Sequence, residues 1–301
     1  MLQALTDAIL PIFAVMAIGF ALGARGLVAP EAPGHINRFV LLVAVPSLLF
    51  GILSAAPLSA FDWQAIGVYA AGEVVVYALG FLIARYVFAR AADEALLLGF
   101  AAAFVNHVLF VLPVAEGLYG TAAAAPIAAI VTVDALVTWP LTVVAMEAIT
   151  GKGRPPAVIV GQVLKNPMLL GPALGLAVNF TGLSVHPGLE RFLGFAGAAA
   201  APAALFALGV TLSSSDLRRF GGVSLSIAAL AIFAHPAVVW ALNALYGAPS
   251  QAAALMVLLA AGPCGAMPYA LATFYGTPPQ SIAKAIVLST VASLFSLALL
   301  A

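Results

Sequence analysis

Asn106, His107 and Pro113 fall within one ten-residue stretch, FVNHVLFVLP (104–113), inside a long apolar run. None of the three suits a lipid-facing helix. Proline leaves a carbonyl without its partner and kinks or breaks the helix. Asn and His cost free energy in hydrocarbon unless something pairs with them. A second apolar run is interrupted in the same way, by AAGPCGAMP (260–268), which carries Gly262, Pro263, Cys264, Gly265 and Pro268. Unwound backbone at membrane depth survives only where protein or a watery cavity covers it. Freed amides at half-helix N-termini favour anions, and freed carbonyls favour cations. Two such breaks that cross would make a site for a small carboxylate, a cation, or both. Asn106 is the leading residue, since an amide both donates and accepts. His107 points about 100° away around a helix, toward the cavity or toward a neighbour's carbonyl. Cys264 reads as a small packing residue before it reads as a reactive thiol.

Glu73 and Asp134 also lie in the middle of apolar runs. Intramembrane acids are expensive and by default mark function. Either could carry a proton or help bind a cation, or could remain a neutral structural hydrogen-bonder. Ser289, Thr290 and Ser293 in LSTVAS (288–293) could complete a polar cluster, or simply bond back to their own helix. His235–Pro236 is a further buried polar break. Glu116 and Glu147 sit nearer span ends, and Arg218 and Arg219 read as topology signals.

The elements that must hold these residues follow from composition. Of 301 residues, 64% are hydrophobic and only 7% charged, with a mean hydropathy of +1.16. A soluble domain carries about a quarter charged residues, so the natural solvent of this chain is a bilayer. A spanning helix needs about 20 mostly apolar residues. Ten such stretches are legible, near 4–24, 36–56, 64–88, 95–119, 122–148, 158–179, 190–212, 220–243, 251–274 and 280–300. A β-barrel would need many more polar lumen positions. The single cysteine excludes an internal disulfide and a CxxC metal site. MLQALTDAIL has no basic n-region, so it reads as an uncleaved first span. Ten of the eleven Lys and Arg fall in loops on one side of this ten-span arrangement; only Arg191 falls on the other. The positive-inside rule then places both termini outside, in the periplasm.

The chain also resembles itself at an offset of 156. Pro11 meets Pro167, Gly19 meets Gly175, and Gly26–Leu27 meets Gly182–Leu183. PSLLF (46–50) meets PAALF (202–206), and YGT (119–121) meets YGT (275–277). Pro113 meets Pro268 after a shift of one. The division is therefore 1–150 and 157–301. Each half holds five spans, and an odd number inverts the second half, as in many secondary transporters. The two interrupted runs are the fourth and the ninth, as that symmetry requires.

INRFVLLVAVPSLLF (36–50), FVNHVLFVLPVAEGLYG (104–120), APAALFALGVTL (201–212) and HPAVVW (235–240) resemble the auxin efflux carrier family, including its bacterial malonate-carrier-like members. That family is similar in fold to bile acid:sodium symporters. The resemblance implies an all-α integral membrane protein of ten helices in two inverted five-helix repeats, with broken, crossing helices 4 and 9. It also implies a scaffold of spans 1, 2, 6 and 7, a mobile part of spans 3–5 and 8–10, elevator-type alternating access, and a homodimer through the scaffold. Plant members carry an Asn–Pro pair at both crossovers. Here the fourth span has Asn106–His107 and the ninth has no Asn, which speaks against auxin itself as the substrate.

The expected function is secondary transport of a small mono- or dicarboxylate across a bacterial inner membrane. Asn106, His107, Pro113, Gly262, Pro263, Cys264 and Pro268 would shape the substrate site. Glu73, Asp134, Ser289 and Thr290 would serve a coupling proton or sodium ion. No other cofactor, metal or nucleic-acid partner is expected. The rivals are a symporter of a more apolar solute and a membrane sensor without flux. No HExxH, GxSxG or Walker sequence is present, and Cys264 with His107 is the one thin enzymatic pairing, so the protein is not expected to be an enzyme.

Overall fold

The computed structural model describes residues 14–56, 58, 62–111, 115, 120, 124–151, 155, 157–158, 161, 165, 167–214, 220–246 and 250–300. Pro113, Glu116, Arg218 and Arg219 lie outside these residues. Among the described residues the architecture is helical, with no β-strand. In chain order these are α1 (Ala14–Ala24), α2 (Ala32–Ser54) and α3 (Trp63–Val87). Next come α4 (Ala92–Ala103) and α5, which runs through Ala124–Val133, Asp134–Thr138 and Trp139–Thr150. They are followed by α6 (Pro167–Thr181), α7 (Pro187–Ser213) and α8 (Gly222–Tyr246). Last are α9 (Ser250–Ala260), α10 (Met267–Tyr275) and α11 (Gln280–Leu300). By length and composition, α2, α3, α5, α7 and α8 can each cross a bilayer. The fourth and ninth apolar stretches are not single helices. The fourth stops at Ala103 and resumes as a π-turn at His107–Val111; the ninth is split into α9 and α10.

Proline placement accounts for several of the π-turns, although the one at Ile83–Val87 in α3 has no proline after it. π-turns occupy Val40–Ala44, Asp134–Thr138 and Leu230–Ala234, and Pro46, Pro140 and Pro236 each follow two residues after the turn ends. A proline removes one backbone donor and its ring crowds the carbonyl four residues back. In all three cases that carbonyl belongs to the π-turn, whose wider coil accommodates the ring without breaking the helix. His107–Val111 is followed in sequence by Pro113 at the same spacing.

The surface is built for hydrocarbon. Phe195, Leu245, Phe233 and Leu141 are well exposed, and helices that carry such side chains outward need an apolar solvent. Association in lipid relies on close packing rather than hydrophobic driving force. Accordingly α6 lies on α2 through Gly171 and Gly175, where an added Cβ would strike the backbone of Pro46 and Phe50. Likewise Gly209 of α7 lets the α1 backbone at Met16 come close. The Asn179 amide of α6 donates to the carbonyls of Leu53, at 2.9 Å, and of Ala56, at 2.9 Å, satisfying the end of α2. Among the described residues, four glycines have positive φ: Gly26, Gly120, Gly182 and Gly276. They form two pairs, each 156 residues apart, so the backbone repeats its left-handed turns at the offset seen in the sequence.

Candidate functional site

The two interruptions meet. Residues 104–106 run antiparallel to residues 263–265, with Val105 opposite Cys264. The Asn106 amide N–H donates to the Pro263 carbonyl (2.9 Å), and the Gly265 N–H donates to the Phe104 carbonyl (2.8 Å). The Cys264 N–H is taken by Ser289 Oγ of α11 at 3.1 Å. The Asn106 carbonyl accepts from Phe110 and Val111 (both 3.2 Å). Groups that helix breaking leaves without partners thus satisfy one another, which allows irregular backbone at this depth. Glycine is required for the fit. A Cβ on Gly262 would collide with Val105 and Val111, and one on Gly265 with the Phe104 ring.

Beside the crossing lies a cavity of about 250 Å³. Its walls are apolar: Leu48, Leu49 and Ile52 from α2, Ala198 and Ala201 from α7, and Trp139 from α5. Asn106, His107 and Asp134 supply its polar side chains, and among the described residues no Lys or Arg lines it. Asn106 is half-buried. Gly265, Ala266 and Met267 bring the N-terminal end of α10 to the cavity, and its N-cap, Ala266, provides no side-chain cap. The C-terminal end of α4 arrives at the same place through Phe104 and Val105. A positive and a negative helix end therefore border one small chamber.

Behind the cavity the polar residues form a chain. His107 Nε2 is 2.8 Å from the Tyr69 hydroxyl of α3, and His107 Nδ1 is 3.4 Å from Asp134 Oδ2. The Tyr69 ring packs on that of His235 from α8, with centroids 5.4 Å apart. Glu73, one helical turn beyond Tyr69, faces Asp134 and Thr138. All four of these acidic and imidazole side chains are buried. Glu73 Oε1, Asp134 Oδ1 and both ring nitrogens of His235 have no hydrogen-bond partner among the described residues.

Not every residue expected at the site borders the chamber. Gly262, Pro263, Cys264 and Pro268 are buried in the crossing and its flank, and they do not line the cavity. Ser289 caps the break, and Thr290 bonds back to the Ile286 carbonyl of its own helix. Asp134, expected as a coupling residue, lines the cavity itself, while Glu73 stands behind it. Of the two orientations open to His107, it takes the cavity side. Tyr69 escaped the sequence reading, although its i, i+4 spacing to Glu73 places both on one helix face. The α2 and α7 walls were also missed, although PSLLF and PAALF, matched at the 156-residue offset, lie at or beside them.

A polytopic helical protein with a small chamber at two bridged chain breaks fits the class of membrane transporters. Comparison with known proteins agrees: a family model described as "Membrane transport protein" matches residues 4–301. The chain belongs to this family, the auxin efflux carrier family that the sequence resembles. It is 30% identical over 250 residues to a Rhizobium meliloti (strain 1021) protein named "Putative malonate transporter", covering 81% of this chain and 78% of that one. It is 26% identical over 300 residues to an "Uncharacterized transporter" of Methanothermobacter thermautotrophicus (strain Delta H), covering 98% and 96%. The relatives are named as transporters, not enzymes.

Proposed function

We propose that this protein is a secondary active transporter of a small organic anion, a mono- or dicarboxylate of malonate's kind. The observation that carries this reading is the chamber at the crossing of the two breaks. There the Asn106 amide and the N-terminal end of α10 can receive a carboxylate. The malonate assignment of the Rhizobium relative supports the same anion class.

The reading extends to mechanism. The chain folds as two inverted five-span repeats, 1–150 and 157–301, and the paired left-handed glycines at the repeat offset support this. The close packing of α1, α2, α6 and α7 supports a scaffold against which the remaining helices move the site by an elevator motion. A homodimer through that scaffold, an inner-membrane location and periplasmic termini complete the reading. A second reading, a proton- or sodium-coupled symporter of a more apolar solute, draws support from the apolar cavity walls.

The test is counterflow in proteoliposomes with labelled malonate, succinate and pyruvate, against protein-free vesicles. Saturable exchange of one or more anions is expected. Absence of exchange for all three, with folded protein in the vesicles, rejects the anion-transporter reading.

A further inference from the structure

The chamber has two acids near it and, among the described residues, no Lys or Arg on its wall. An anion bound beside Asn106 meets the carboxyl of Asp134 on the cavity wall and that of Glu73 behind it. Among the described residues, no Lys or Arg borders the cavity to offset either charge. Like charges in a buried, low-dielectric site repel strongly, and anion binding is excluded unless the charge is removed. Protons can remove it, and the cluster is arranged to take them. Asp134 has one oxygen facing His107, and among the described residues Asp134 Oδ1 and Glu73 Oε1 have no partner.

We propose that the His107–Asp134–Glu73 cluster takes up one proton as the anion binds, so that anion and proton cross together. The inference rests on the anion-transporter reading above. Glu73 and Asp134 face each other in a buried site, so the pair already holds one proton and has room for one more. On the loading side, hydronium gives its proton to the remaining carboxylate oxygen and is left as water. On the far side the O–H bond breaks and the proton passes to water as the anion leaves.

The groups packed around the cluster fit this role. From α3, Tyr69 bonds to His107. From α5, Thr138 faces Glu73. From α8, His235 stacks beyond Tyr69 with both ring nitrogens unpartnered among the described residues, extending the polar chain away from the cavity. Cys264 is the titratable group of the second break, with its amide capped by Ser289 of α11. The α2 and α7 walls contribute no titratable side chain to the cavity.

The experiment uses the full-length protein in proteoliposomes containing the pH dye pyranine, with labelled pyruvate or malonate outside and the potential set by potassium and valinomycin. Expected is one proton per anion, for pyruvate and malonate alike. The rate should rise with acid outside, and the imposed potential should change the pyruvate rate by less than about twofold. Asp134→Asn lowers uptake by about tenfold or more, and the remaining flux loses its dependence on the pH gradient. Saturable uptake driven by potential or by a sodium gradient, without a dye signal, overturns the inference and leaves the transporter reading intact. An unchanged proton count in folded Asp134→Asn overturns it as well. No exchange of any anion by the wild type overturns both.

Discussion

Replacement of Asn106 by Ala separates binding from folding, because the structure assigns the two tasks to different atoms of the same residue. The backbone of Asn106 holds the crossing, donating to Pro263 and accepting from Phe110 and Val111. Alanine keeps all three bonds. The side-chain amide is half-buried at the cavity, and among the described residues its loss leaves no group unsatisfied. The expected cost to stability is therefore within about 0.5 kcal/mol, the range of substitutions that break no contact. A hydrogen bond from the amide to a carboxylate contributes about 1.5–3 kcal/mol. Its loss weakens anion binding by about 10- to 150-fold. The assay pairs thermal melting of the detergent-solubilised variant with the half-saturation concentration for malonate counterflow. Unchanged melting with a large loss of apparent affinity is expected. Wild-type affinity in a variant of unchanged melting would falsify the assignment of the amide to the substrate. A marked drop in melting temperature would instead show that the amide supports the fold.

Other substitutions probe the surroundings. Tyr69→Phe conserves volume but strips the buried His107 Nε2 of its phenol. A loss of about 1–3 kcal/mol in stability follows, read as a lower melting temperature, and unchanged melting would argue against that bond. Gly209→Ala drives a methyl into the Met16 carbonyl of α1, and overpacking costs about 1–3 kcal/mol; yield of monodisperse protein should fall, and a normal yield and melt would show that α1 can move away. Ala201→Phe places a ring in the chamber from α7, so malonate exchange should disappear while the protein remains folded, and retained exchange would place the substrate elsewhere.

Much of this molecule is written in short-range pattern. An apolar composition with seven charged residues per hundred commits the chain to a bilayer, because nothing in it could solvate a water-facing surface. Pro46, Pro140 and Pro236 mark three places where helices widen, because a proline ring constrains its own preceding turn and nothing distant. Asn106 and the Gly262–Pro263 pair announce two breaks, and the 156-residue offset relates them. The pairings themselves required the tertiary structure. Phe104 reaches Gly265, Tyr69 reaches His107 across 38 positions, and Cys264 reaches Ser289. Periodicity places residues on a face of one helix but does not say which helix that face will meet. For the same reason the sequence does not say that Gly262, Pro263 and Pro268 lie in the crossing and its flank while Gly265 borders the cavity. The chamber's apolar lining from α2 and α7 had no local signal, since a leucine facing a cavity and a leucine facing lipid read alike. Only the packing of one helix against another distinguishes them.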